Sequence, residues 1–197
     1  MDIEKLATIV SGVLSAPMYA VYLLVLIVIA CSSELVLLNV AVKILIGTIF
    51  LLVLPTAPIL HAAKKGKTDI FVQEREKRFQ FFIIAIIGYL IGCMTYSILE
   101  DKILAIFLLC YATVTTSIML MTKITKVSVH TAGIAGPTTF LVMICGVGFL
   151  WFYIFLFPVA WARYVLRAHT KFQLLWGAIL AILVTYFTVI AATTYLT

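Results

Sequence analysis

The sequence predicts an all-α, polytopic membrane helix bundle with six to seven transmembrane helices. Two observations carry that expectation. Of the 197 residues, 64% are hydrophobic and only 11% are charged, which is more apolar surface than a soluble domain of this length can hide. The apolar runs are about 20 residues long, enough for a helix to cross a bilayer, and they lack the period-two alternation of barrel strands. No long polar linker, low-complexity segment or evident repeat interrupts the chain, so residues 1–197 read as one domain. The start, MDIEKL, has mixed charge and no cationic stretch before the first apolar run, so no cleavable signal peptide is expected.

Seven apolar spans can be drawn in order, over residues 7–30, 39–60, 81–99, 103–121, 127–147, 149–165 and 172–196. Pro17 interrupts the first, which can begin as a surface turn. The fifth and sixth are separated only at CGVGF, where Gly146 and Gly148 supply a turn; unbroken, that run would be about twice a bilayer's need. Alternating the sides then puts three polar clusters on one face: HAAKKGKTDIFVQEREKRF, TKITKVSVH and ARYVLRAHTK. The opposite face receives short connections, including the turn at Glu100–Asp101–Lys102. Of the 14 Lys and Arg residues, all but Lys43 and Lys102 fall on the first face. The positive-inside rule makes that face cytoplasmic, and the chain an integral protein of the cell membrane. Lys43 is the one charge well inside a span, and its long stem can reach the opposite face.

Each cluster has a plain reading and a chemical one. Lys64, Lys65 and Lys67 suit a basic loop beside anionic lipid heads. Arg78 abuts FQFF at the bilayer edge and is placed to reach inward. Gly133 and Gly136 let helices approach closely. Ser128 and His130 stand at the mouth of the fifth span, where a helix start favours an anion. An ionisable residue such as His130 near the apolar zone is a functional hypothesis by default. Arg163 and Arg167 are four apart, which puts them on one helical face, with His169 and Thr170 following. Arginine holds two phosphate oxygens with a planar fork, or it simply snorkels at the end of a span. Two histidines and three arginines on one face suggest phosphate chemistry, with one histidine attacking phosphorus and the other protonating the leaving oxygen. No metal-binding carboxylate set, Ser-His-Asp set or Walker loop is apparent, so neither metal nor cofactor is expected. Membrane lipids are the expected partners, and nothing points to nucleic acid.

These residues resemble the three ordered motifs of the type 2 phosphatidic acid phosphatase superfamily, KxxxxxxRP, PSGH and SRxxxxxHxxxD. FVQEREKRF keeps Arg78, with Phe71 at the lysine position and Phe79 at the proline. VSVH keeps Ser128 and His130 without the proline and glycine. ARYVLRAHTKFQ keeps Arg163 and His169 at the family spacing, with Ala162 for the serine and Gln173 for the aspartate. The resemblance covers about residues 64–178. It implies the six-helix membrane phosphatase bundle, with an extra or interfacial segment at the start. It also implies His169 as the nucleophile that becomes phosphohistidine and His130 as general acid. Arg78, Arg163 and Ser128 would hold phosphate. Lys126 or Lys77 would replace the absent lysine. The implied activity is metal-independent hydrolysis of a phosphatidic acid-like lipid phosphate or a polyprenyl phosphate or pyrophosphate.

Gln173 matters most among the departures, because an amide orients a histidine without charging it. A protease triad in which the equivalent aspartate becomes asparagine loses about ten-thousandfold in rate. The rival reading is therefore a catalytically impaired binder or carrier of anionic lipids on the same fold. A transporter ranks lower, since the ionisable residues gather at one membrane edge and transport sites lie near the midplane. Cys31, Cys93, Cys110 and Cys145 lie in or beside apolar runs without paired spacing, so neither a disulfide framework nor a metal site is expected. GYLIG, with Gly88 and Gly92, is a small-residue face for packing within the chain or between copies in a homo-oligomer.

Overall fold

The computed structural model describes residues 2–31, 37–69, 72 and 74–195. They form α-helices joined by short turns, and among them there is no strand. In order these are α1 (Ile3–Val13), α2 (Ala16–Cys31), α3 (Leu37–Thr48), a π-turn at Ile49–Val53, α4 (Leu54–Lys64), α5 (Arg75–Ile98), α6 (Lys102–Thr122), α7 (Val129–Cys145), a 3-10 stretch at Val147–Phe155, α8 (Leu156–Val165) and α9 (Lys171–Tyr195). Among the described residues five continuous segments are long and apolar enough to cross a membrane, and the pair α1–α2, bent by 46°, brings the number to six if it is one broken span rather than a re-entrant loop. α7 has only 17 residues, a length of about 25 Å.

The distribution of side chains is inverted relative to a soluble protein. Leu38, Ile98, Phe157 and Phe187 are among many large apolar side chains facing outward, while Ser11, Arg78, Ser128, Thr138, Arg163, His169 and Thr185 are buried. That arrangement suits an apolar solvent outside and a polar interior that must satisfy itself. It makes the chain an integral membrane protein in kind.

α7 is the central helix, packed against α2, α6, α8, α9 and the 3-10 stretch. Every residue from Thr131 to Leu141 is buried. Small side chains allow this. A Cβ on Gly177 would come 2.5 Å from the Ser128 carbonyl oxygen, and one on Gly133 would collide with Ala16. α7 therefore touches α9 and α2 almost backbone to backbone.

The break at Gly146 is real: its φ of 106° ends α7 and starts the 3-10 stretch. Lys43 reaches the turn after α5, where its Nζ lies 2.7 Å from Asp101, the cap of α6. The Gly88–Gly92 face is used within the chain, against Leu54 and Phe50. One expectation needs correction. Arg163 and Arg167 do not share a helical face, because α8 stops at Val165 and Arg167 adopts a left-handed φ of 50°. Arg163 is buried and Arg167 exposed.

Candidate functional site

Two helix starts bring the histidines together. Ser128 caps α7, and its hydroxyl accepts the Thr131 amide. Its own N–H donates to the Gln173 carbonyl at 3.3 Å, and the Thr131 hydroxyl donates to the Leu174 carbonyl at 2.8 Å. The first turns of α7 and α9 are thus stitched to each other, and Gly177 leaves room for the seam. His130 and His169 both line one cavity beside it, close enough for the charge of His169 to act on His130.

The start of α9 also orients His169. Thr170 and Gln173 form a reciprocal capping box: the Gln173 N–H donates to the Thr170 hydroxyl at 3.3 Å, and the Thr170 N–H donates to Gln173 Oε1 at 3.2 Å. A backbone N–H can only donate, so the Gln173 atom facing it is the amide oxygen. That same oxygen lies 3.2 Å from His169 Nδ1. Nδ1 therefore carries the proton, and Nε2 keeps its lone pair.

Two of the three arginines that the sequence singles out, Arg78 and Arg163, are held inside. Arg78 Nε donates to the Val72 carbonyl at 2.7 Å and Nη1 to the Val127 carbonyl at 3.3 Å. Val72 has a φ of 45°, an outlier for a β-branched residue that costs about 1–3 kcal/mol and is tolerated where surroundings enforce it. Arg163 Nη1 donates to the buried Ser11 hydroxyl at 3.0 Å. α1 thus lies against α8 and supports Arg163 from the start of the chain.

His169 forms part of the walls of two cavities. One has a volume of about 350 Å³ and is lined by Arg78, His130 and His169 together with Tyr89, Phe107, Tyr111 and Phe140. Tyr89 and Phe140 stand three turns below Arg78 and His130 on their helices, so the apolar part runs about 15 Å inward, half of a hydrocarbon core. The other, of about 810 Å³, is a polar recess lined by Lys126, Arg167, His169, Thr170, Lys171 and Gln173.

The cluster is electropositive. Burial, reinforced by the positive charges of Arg78, Lys126 and Arg163, pushes His169 down to about 3, and the hydrogen bond that His169 donates to Gln173 only partly opposes this. Burial first, then Arg78 and Arg163, also lowers Lys126, with Asp69 opposing. Among the described residues, Asp69 is the one carboxylate whose charge reaches Arg78, Lys126 and Arg163 alike. Cations outnumber it, so a bound anion would complete the balance.

Of the residues the sequence singles out, Arg78, His130 and His169 share one cavity, and Lys126 and Gln173 line the other. Arg163 and Ser128 are buried beside them and line neither. Ser128 serves as a cap and seam. Lys77 pairs with Glu74 at 2.7 Å on the surface, which leaves Lys126 as the lysine of the cluster. Phe71, at the family lysine position, lies outside the described residues. Sequence reasoning missed Ser11, Asp69 as a counter-charge, and the carbonyls of Val72 and Val127. The run SGVLSAP, residues 11–17, was the available signal for Ser11, since small and polar residues interrupt an apolar stretch there. Among the described residues no three His, Cys, Asp or Glu side chains form a metal-ligand set.

Comparison with protein-family descriptions, with curated proteins and with solved structures finds no match.

Proposed function

We propose that this chain is a membrane lipid phosphatase, a divergent relative of the type 2 phosphatidic acid phosphatases, acting through a phosphohistidine. The observation that carries the reading is the position of His169. Its neutral, Nδ1-protonated ring stands between an apolar cavity and a cationic recess. The lipid tail lies in the first, and the phosphate meets Arg78 and Lys126, with the charge of the buried Arg163 acting from behind them.

The steps follow from these groups. His169 Nε2 attacks phosphorus, and the bond from phosphorus to the lipid oxygen breaks. His130, protonated once the bound phosphate offsets the charges of Arg78 and Arg163, gives that proton to the oxygen, which leaves as the lipid alcohol from a monoester or as the lipid monophosphate from a pyrophosphate. His130 then takes a proton from water, the oxygen of that water attacks phosphorus, and the bond to Nε2 breaks. Inorganic phosphate departs through the polar recess. The arginines stabilise the charge on the equatorial oxygens at the transition state. Gln173 fixes the tautomer, and no metal or cofactor takes part. Phosphatidic acid-like lipids, polyprenyl phosphates and polyprenyl pyrophosphates all present the required monoester or anhydride phosphate.

The test is phosphate release by purified protein from each of these three lipid classes. Turnover that disappears in His169→Ala is the expected outcome; turnover unchanged in that variant removes the mechanism. A wild type inert on all three, yet binding them, favours the second reading, an anionic-lipid binder. That reading draws on one observation: Gln173 carries no charge to stabilise an imidazolium.

The cluster face is proposed to be cytoplasmic, on the charge bias. Single cysteines in residues 64–67, in a cysteine-free background on intact cells, should resist an impermeant reagent. Labelling from outside reverses the orientation.

A further inference from the structure

The end of the bundle opposite the histidines holds a pair of thiols that the phosphatase reading does not use. Cys31 is the last residue of α2 and Cys145 the last of α7, and their sulfur atoms lie 2.9 Å apart. The two helices run side by side in the same direction. Gly133 packs on Ala16, and the Tyr19 hydroxyl and Thr138 Oγ1 are 3.0 Å apart. The cysteines therefore meet at the end of a seam that is fixed along its length. Both are half-buried, within reach of a small disulfide reagent.

We propose that Cys31 and Cys145 form an intrachain disulfide that ties the far ends of α2 and α7. The thiolate of one cysteine attacks a low-molecular-weight or protein disulfide, R–S–S–R, and one RSH leaves. The second cysteine's thiolate then attacks the protein sulfur of the mixed disulfide. The bond between Cys31 and Cys145 forms, the bond to R–S breaks, and a second RSH leaves. The two thiol protons end on the two RSH molecules, and the two electrons pass to R–S–S–R, which is reduced as the protein thiols are oxidised. The charge bias expects this face outside the cytoplasm, where disulfides persist.

The consequence reaches the cavity. The cysteines are 114 positions apart, so the bridge closes a long loop and restricts the unfolded chain strongly. Ala16 and Pro17 on α2, and His130 and Gly133 on α7, wall the apolar cavity. The bridge therefore fixes the two walls relative to each other from the opposite end of the bundle.

The test uses the full chain in detergent, treated with oxidised glutathione, alkylated, digested and analysed by mass spectrometry without reduction. The expected result is a cross-linked peptide pair joining positions 31 and 145, lost on reduction and in either Cys31→Ser or Cys145→Ser, and retained in Cys93→Ser. Oxidised wild type should also unfold roughly 5 °C or more above reduced wild type, a comparison that needs no variant. Independent alkylation of both cysteines after this treatment, or a bridge formed only between two chains, overturns the proposal.

Discussion

Gln173 Oε1 accepts two hydrogen bonds at once, from His169 Nδ1 and from the Thr170 amide, each 3.2 Å long. The relationship settles the tautomer of His169, because the backbone donor fixes which amide atom is the oxygen. What the amide cannot do is stabilise a positive ring, as a carboxylate at the same place would. Gln173→Asp is therefore expected to raise the His169 pKa from about 3 and to raise turnover tenfold or more, on the order of part of a triad carboxylate's effect. Gln173→Leu should lower turnover and also remove half of the capping box, costing about 1 kcal/mol of stability. Assays beside thermal melts separate the two effects. A Gln173→Asp variant slower than wild type would count against the orientation argument.

Anion binding should depend on pH in a definite direction. His169 is held neutral by burial and by the charges of Arg78, Lys126 and Arg163. A bound oxyanion offsets those charges and draws the ring's pKa upward, so binding is linked to proton uptake. Vanadate or phosphate affinity, measured by calorimetry in buffers of different ionisation enthalpy, is expected to increase as pH falls from 7 towards 5. In His169→Ala that proton uptake should shrink. The same depressed pKa has a stability consequence. Folded protein resists protonating a group that titrates near 6.5 when unfolded, so this contribution is present above about pH 6.5 and is lost progressively towards pH 3.

The seam between α7 and α9 is tightest at Gly177. A Cβ at Gly177 would lie 2.5 Å from the Ser128 carbonyl oxygen and 2.6 Å from Thr131 Oγ1. Gly177→Ala must push the two helix starts apart, which separates His130 from His169. The expected cost is about 1–3 kcal/mol, with turnover falling further than stability alone explains. A Gly177→Ala protein with wild-type melting and activity would mean that the seam does not position the histidines.

Ser11 supports Arg163 from α1, far from it in the sequence. Ser11→Ala removes the acceptor 3.0 Å from Arg163 Nη1, which costs about 1–3 kcal/mol for a buried charged donor. Turnover should fall several-fold, because the guanidinium that acts at the transition state remains but loses one of its hydrogen-bond acceptors. Unchanged kinetics would confine Ser11 to packing.

How far the sequence reveals this arrangement follows from physical range. Hydropathy reads the spans well, because each helix must satisfy the bilayer locally; even the split at Gly146 was legible from CGVGF. The convergence of Arg78, His130 and His169 follows from counting sides, and the structure adds one cavity wall common to all three. Tertiary partners leave no local mark. Nothing around Ser11 points to Arg163, and nothing around Cys31 points to Cys145, 114 positions away. Helical spacing misled at Arg167 because the helix ends at Val165, two residues before it. GYLIG allowed packing within or between chains, and only the contact with Phe50 and Leu54 decides.

The central claim is a covalent bond between phosphorus and His169, and trapping it is the direct test. Purified protein mixed with a lipid phosphate labelled on phosphorus, quenched in alkali within one turnover and digested, should yield a phosphopeptide containing His169. It should be stable to base and labile to acid, and it should be absent from His169→Ala. Phosphate release in the wild type without any labelled protein, or with the label on another residue, would contradict the account.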